Sequence, residues 1–508
     1  MRAGILDLTG VVGYRWASAA CVLLFMLAGC GGGGGGGSAA RSLSPPSSAL
    51  AGFCASPRPA GTVDPFTGLP YGDRAGSLDD EKSWVRSWID DTYLWYTEVP
   101  DLDADSYPTP VEYFDVLKTP ATTPSGKPKD QFHFTLDTAD WAAQSQSGVE
   151  LGYGFQLALL AVTPPRKVIV AFTDPGTPAA TAGIARGAEI LAVDGVDLVN
   201  DSTDTGIETL NNVLFPAAAG THTFVIRDTP GSGSRSVTLT SGAITRIPVQ
   251  NVQKLAAPNH AVGYLLFNDH IATSEQLLIQ AINQLAGVTD LVLDLRYNGG
   301  GYLDIASELA FMIAGPGPTS GKVFERITFN DKNPFGLTPA QTITPFHSVS
   351  QGFSGPPNQA LPNLGLARVF VLTGAGTCSA SEAIINALRG VDVQVNLIGA
   401  TSCGKPYGFL PQDNCGTTYF AIQFQGVNDK GFGDYADGFA PTCAVADDFS
   451  HALGDPAEER LAGALSYRAT GTCPPASAMV LRGIAVSGPA EPQLTRQPVR
   501  ENRIYRPQ

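Results

Sequence analysis

Apolar residues recur with two different periods along this 508-residue chain. From about His260 onward, residues 261–267, 291–296, 367–372 and 393–398 form short, nearly continuous apolar runs. Their β-branched content and the Gly, Pro or Asn residues that bound them predict strands buried on both faces. Between them, residues 274–285, 305–313 and 383–388 carry the 3.6-residue spacing of helices. Such alternation predicts an α/β layered core over residues 248–473. A Gly/Pro-rich insertion, 315–365, interrupts it. Residues 419–424 add a strand, and 456–467 a last helix with Asp455 near its start. Ahead of this core, Trp84, Val85, Trp88, Ile89, Tyr93, Leu94 and Trp95 mark a core-facing helical stripe. Tyr113, Phe114 and Leu117 mark a second helix. With the polar loop 119–131 they make a small N-terminal helical domain, 78–147. Residues 148–247 are instead β-rich, with glycines at the turns.

The ends of the chain differ from its middle. Arg2 and Arg15 precede or flank the apolar run 16–29, which falls short of the ~20 residues a membrane span needs, so residues 1–29 read as an export signal. The run closes on Leu27-Ala28-Gly29-Cys30, which resembles the bacterial lipobox and implies a lipid on Cys30; an uncleaved anchor is the alternative. Residues 30–77 open with seven glycines and read as a flexible Gly/Ser/Pro-rich linker reaching roughly 35 Å. The expected location is the bacterial cell envelope. Gly31 lacks the Asp that often retains lipoproteins at the inner membrane, so the outer membrane, facing the periplasm, is expected. Residues 474–508, with Arg496, Arg500, Arg503 and Arg506, read as a disordered tail.

A formal net charge of −15 argues against a nucleic-acid surface, and the lipobox implies a membrane contact through the lipid anchor. No HExxH or paired CxxC spacing occurs and the six His are scattered, so neither metal nor cofactor is expected. Asp434 and Asp437 lack the ligand series of a calcium loop and read as turn residues. With Cys21 in the signal and Cys30 lipidated, Cys54, Cys378, Cys403, Cys415, Cys443 and Cys473 remain, and export suggests disulfides among 15 possible pairings. Cys403–Cys415, closing the loop that carries Lys405, and Cys443–Cys473 are expected. Cys378 could be a small buried hydrophobe.

Candidate chemistry gathers at two loops. Ser379 stands between a predicted strand and a predicted helix, where a hydroxyl protrudes and backbone N–H groups stand free. Lys405 lies on the Gly-rich loop after the next strand. A Ser with a Lys in this setting suggests nucleophilic catalysis with an amine as base. A free lysine, with a pKa of about 10.4, is a poor base at neutral pH. The uncharged residues around Lys405 suit a buried amine whose neutral form is favoured. The plainer readings are a capping box in Ser379-x-x-Glu382 and a solvated loop lysine. Asn298-Gly299-Gly300-Gly301 is either a strand-to-helix connector or a source of oxyanion-binding amides.

Asp294-Leu295-Arg296-Tyr297-Asn298-Gly299-Gly300-Gly301, Ser379-Ala380-Ser381-Glu382 and Gly404-Lys405, in series, resemble the C-terminal-processing (tail-specific) serine peptidases. Within residues 148–247, Leu151-Gly152-Tyr153-Gly154-Phe155 resembles the carboxylate-binding loop of a PDZ domain. Residues 178–195, ending in Asp194-Gly195, resemble the helix, turn and strand of bacterial PDZ modules. The likeness spans about residues 78–470. It implies a crotonase/Clp-like layered peptidase core, preceded by a PDZ domain and a helical domain. It further implies Ser379 as nucleophile, Lys405 as general base, and an oxyanion hole of Ala380 with Gly299 or Gly300. Substrates would be proteins recognised by free C-termini bound along Leu151–Phe155. Many members carry a Gln four residues after the Lys. Here that position is Phe409, leaving Gln412 or a backbone carbonyl to orient the amine. A tethered, catalytically inactive binding protein on the same fold and thiol chemistry at Cys378 or Cys403 are the alternatives. The oligomeric state is not indicated.

Overall fold

The computed structural model describes residues 45–475 and two further strand segments, 493–495 and 503–504. The export signal, Cys30 and the glycine run lie outside the described residues. A six-stranded sheet forms the centre, in the order Val249–Lys254, Val262–Phe267, Asp290–Asp294, Arg368–Thr373, Gln394–Gly399, Cys443–Ala444. The first strand is an antiparallel edge and the other five run parallel. Alternate residues point to opposite faces, as the pleat requires. Leu265, Leu291, Leu293, Val369 and Val371 pack with Leu278, Leu309 and Ile384 of the helices Ser274–Gln284, Leu303–Ala314 and Ala380–Gly390. Tyr264, Val292, Phe370 and Leu372 pack on the other face with Leu461 and Ala464 of the helix Glu459–Thr470. Burial on both faces explains why these strands read as continuous apolar runs.

The β-rich domain is a second body with its own core of Tyr153, Val168, Val170, Ile190, Leu210 and Phe224. Its strands Phe155–Ala161 and Lys167–Thr173 turn Ala158, Ile169 and Phe172 outward onto the second face of the central sheet. The helix Leu78–Thr92 starts at Ser77 with the reciprocal Ser77–Asp80 box, and its Trp84 and Trp88 pack on Tyr419. Tyr419 belongs to a small sheet, Gln412–Asn414, Thr417–Phe420 and Phe134–Asp137.

Four expectations need correction. Residues 45–77 are folded onto the body rather than forming a free linker: Cys54 is disulfide-bonded to Cys415, and Arg58 pairs with Asp73 and Asp413 at 2.7 Å each. The tail is not wholly disordered, because Gln493–Thr495 and Arg503–Ile504 form strands on other parts of the chain. In both cases the ordering partners lie far away in sequence, where composition carries no signal. The strand expected over 419–424 is two strands, Thr417–Phe420 and Phe424–Val427, in different sheets. The last helix begins at Glu459 and is capped by Glu458, whose carboxylate accepts from Leu461 N–H at 3.0 Å, not by Asp455.

The 315–365 insertion is held by two carboxyl groups. Glu275 accepts N–H bonds from Gln351 and Gly352 at 2.8 Å and from Ser354 at 2.9 Å, and Glu308 shares the Gln351 N–H. Burial, with the Glu275 charge beside it, pushes the Glu308 carboxyl from 4.5 up to about 9. A raised acid contributes its stability fully below its unfolded value and loses it as pH climbs towards the folded one. Stability should therefore fall from pH 5 to pH 9 with a slope of at most ~1.4 kcal/mol per pH unit from this group. Glu308→Gln should flatten that fall; thermal melts of both proteins at pH 5, 7 and 9 check it.

Candidate active site

The carboxyl ends of the parallel strands are where open sheets of this kind place ligands. Three segments meet there: the turn after Asp294, the turn after Thr373 and the loop after Gly399. The first two lock together. Cys378 N–H donates to Asn298 O at 3.0 Å, Ser381 Oγ to the same oxygen at 3.1 Å, and Thr377 Oγ1 to Leu295 O at 2.8 Å. Ser379 is thereby held at φ 59°, ψ −113°, a region that costs a non-glycine residue about 1–3 kcal/mol. Its hydroxyl is buried and makes no hydrogen bond. Half of the expected capping box is present: Glu382 accepts from Ser379 N–H at 3.0 Å, while Ser379 Oγ caps nothing.

Glu382 does more than close a box. Fully buried, it also accepts Ser402 Oγ at 2.6 Å, Gly404 N–H at 2.9 Å and Lys405 N–H at 2.8 Å. One oxygen, Oε2, takes both the Ser379 and the Lys405 amide, so those two backbone nitrogens lie within about 6 Å of each other. Burial pushes the Glu382 carboxyl above its ordinary range, while the four donors pull the other way. Only glycine suits position 404: φ is +90°, and a Cβ would sit 2.2 Å from Ala436 O.

Lys405 is itself fully buried. Its Nζ lies 4.6 Å from the ring centres of both Phe132 and Phe409. Phe409 thus covers the amine from the position where an amide was expected. Gln412, the offered substitute, is exposed and donates to Asp413 O. Ala380 opens its helix, so its N–H lies outside the intrahelical ladder. Gly300 N–H is committed to Asn298 Oδ1 at 2.9 Å, which corrects its expected role and leaves Gly299 as the glycine candidate.

The cysteines also depart from expectation. Cys443–Cys473 is formed, but Cys403 pairs with Cys378 and Cys415 with Cys54, so the expected Cys403–Cys415 bond is absent. Cys378–Cys403 ties the residue before Ser379 to the loop before Lys405, which removes the thiols that cysteine chemistry would need. Cys378, Glu382 and Cys403 lie close enough to suggest a metal-binding trio, yet the disulfide and the four donors on Glu382 account for all three.

Further residues emerge only in three dimensions. His270 is buried, with Nδ1 3.0 Å from Asn298 Oδ1 and Nε2 without a partner; burial lowers its pKa to about 3, so the ring is neutral. Arg296 is enclosed by Asp294, Asp447 and Glu458 at 2.7–3.0 Å. Arg186, from the β-rich domain, donates to Asp447 and to Tyr297 Oη, each at 2.6 Å. These charges hold Asp447 well below the carboxylate range. In the loop 151–155, Tyr153 is a core residue whose hydroxyl donates to Val213 O at 2.9 Å. Leu151 and Gly152 end the strand Val149–Gly152, Gly154 has φ +88°, and Phe155 starts the next strand.

The model for peptidase family S41 matches residues 261–413, and that for the S41 N-terminal domain matches residues 80–132. These matches support the S41 peptidase family for this chain. A carboxyl-terminal-processing protease of Picosynechococcus is 32% identical over 169 residues, and one of Synechocystis is 26% identical over 262. The aligned parts are 33% and 50% of this chain, and only 39% and 52% of those relatives. A crystal structure from Bacteroides fragilis, assigned to the S41 proteases, superposes with a TM-score of 0.60 at 24% identity. That superposition covers 77% of this chain and 97% of the other, and it shows the shared mixed α/β fold. The S41 match contains Ser379, Glu382, Lys405 and Phe409, and the N-terminal match ends at Phe132. The two matched regions therefore supply both rings that enclose the Lys405 amine.

Glu382→Gln keeps the shape but replaces one acceptor oxygen by a donor facing N–H groups. The expected cost is about 1–3 kcal/mol, because buried donors lose their partner. A lower urea midpoint at unchanged slope would show it.

Proposed function

We propose that this chain is a serine peptidase in which Ser379 is the nucleophile and Lys405 the general base. The observation that carries the reading is the shared Glu382 oxygen, which brings the backbones of residues 379 and 405 together. The strained turn and unbonded hydroxyl of Ser379 support it, since such strain clusters at reactive sites. Burial disfavours the ammonium form of a lysine, so a buried amine is suited to accept a proton. In the reaction, the Ser379 hydroxyl proton passes to Lys405 Nζ as Oγ bonds to the peptide carbonyl carbon. The ammonium that forms faces two aromatic rings, whose π faces favour a cation. The carbonyl oxygen becomes an oxyanion beside Ala380 N–H and Gly299 N–H. The C–N bond then breaks, with the departing amine taking the proton from Lys405. Water, deprotonated by the same amine, hydrolyses the acyl ester.

The β-rich domain is assigned as a PDZ module in which Leu151, Gly152, Tyr153, Gly154 and Phe155 receive the C-terminus of a protein substrate. Its separate core and its Arg186 contact beside Tyr297 support a role in presenting substrate to the turn that follows. Residence in the cell envelope, lipid-anchored through Cys30 and facing the periplasm, completes the proposal. The three disulfides support an exported chain. Among the described residues no helix is long and apolar enough to cross a membrane.

Ser379→Ala and Lys405→Met should each lower kcat for an unfolded protein substrate by at least ~10³-fold. Ser379→Ala should leave the melting temperature unchanged or slightly higher, because an unpartnered buried hydroxyl is removed. Peptidase assays of both variants, with melting curves alongside, are the check; turnover surviving in Ser379→Ala would remove the mechanism.

A further inference from the structure

The described pieces of the C-terminal segment sit on the two surfaces that a peptide substrate would have to visit. Gln493–Thr495 pairs antiparallel with Leu157–Leu159, adding a strand to the edge of the β-rich sheet. Its direction carries the chain towards Phe155 and the loop 151–155: Gln493 lies opposite Leu159 and Thr495 opposite Leu157. This is the strand-addition mode by which sheet edges capture extended peptides. Eight residues on from Thr495, Arg503–Ile504 pairs parallel with Gly301–Tyr302, directly after the Asn298–Gly300 turn.

Ile504 is enclosed on both sides. Tyr302 is its register partner in one strand, and Phe409 is bridged to it from the other side. Phe409 is the residue whose ring faces Lys405 Nζ, and Gly301 belongs to the turn that Asn298 fastens to Cys378 and Ser381. The Ile504 side chain is 4% exposed, beside a small cavity that His270 and Trp141 also line. Gly301 itself is pressed against His270: at φ +136° a Cβ there would lie 2.4 Å from His270 O.

We propose that the two described strand segments, Gln493–Thr495 and Arg503–Ile504, act as an intramolecular peptide ligand of the candidate active site, the first on the β-rich sheet edge and the second in the cleft between Tyr302 and Phe409. The full-length protein is then self-occupied, and outside substrates compete with its own tail. The ligand class is an extended peptide with a β-branched aliphatic residue in the Ile504 position. This rests on the peptidase reading for the identity of the cleft, but the occupancy itself can be measured without catalysis.

The test uses the full-length Ser379→Ala protein and a fluorescein-labelled synthetic peptide of residues 493–508, read by anisotropy. Adding Ile504→Asp should free the cleft and lower the Kd of the labelled peptide at least tenfold; Ile504→Ala should act in the same direction more weakly. A labelled peptide with Asp in place of Ile504 should bind at least tenfold more weakly to the Ser379→Ala/Ile504→Asp protein. Equal Kd values with and without Ile504→Asp, or no binding to either protein, would overturn the proposal. With Ser379 intact, Ile504→Asp should raise the hydrolysis of dilute unfolded protein several-fold. Tail-peptide binding as expected, with no hydrolysis by any variant, would uphold the occupancy and reject the peptidase reading instead.

Discussion

A single buried carboxylate organises the site. Glu382 gathers the amides of Ser379, Gly404 and Lys405 and the Ser402 hydroxyl, so two loops from different strand ends are fastened to one point. A charge without water is costly, and its cost is offset only while every donor stays in place. The loops therefore cannot drift apart singly. The Cys378–Cys403 bond repeats the connection covalently from neighbouring residues. Hydrogen bonds and a disulfide act on the same pair of loops by independent physics.

A second buried network does similar work one layer below. Arg296 is enclosed by Asp294, Asp447 and Glu458, and Arg186 reaches Asp447 from the β-rich domain. Tyr297 lies between these charges and the Asn298 turn. A displacement of the β-rich domain thus bears on the turn that seats Cys378 and Ser381, because both donate hydrogen bonds to Asn298 O, next in the chain to Tyr297. The β-rich domain and the segment that leads into the Asn298 turn are joined here by ion pairs, and not merely by a linker.

The surroundings of Lys405 differ from those that an amide at position 409 would provide. An amide at position 409 would orient an amine by hydrogen bonding. Phe409 and Phe132 instead confine it between ring faces, which favour a cation without accepting a directed hydrogen bond. Phe409 also bridges to Ile504, so one residue meets the amine through its ring and Ile504 through its main chain.

Much of this was legible along the chain. The apolar runs 261–267 and 367–372 became strands, and the Trp84/Trp88 stripe became a packed helix face, because such patterns repeat over neighbours two to four positions apart. The Ser379 and Lys405 loops were likewise found from local glycine and strand–helix punctuation. Partner choice was not legible. Cys54 meets Cys415 across 361 positions, Phe132 reaches Lys405 from another domain, and the described segments 45–77, 493–495 and 503–504 are held by partners distant in sequence. Glu382 read as a local cap because the donors on residues 402–405 come close only after two strands pair side by side. Periodicity and turn chemistry are properties of a segment, so the sequence alone determined the elements and the candidate pair. Which buried charge, ring or cysteine meets which is a property of the packed interior, and only the tertiary structure decided it.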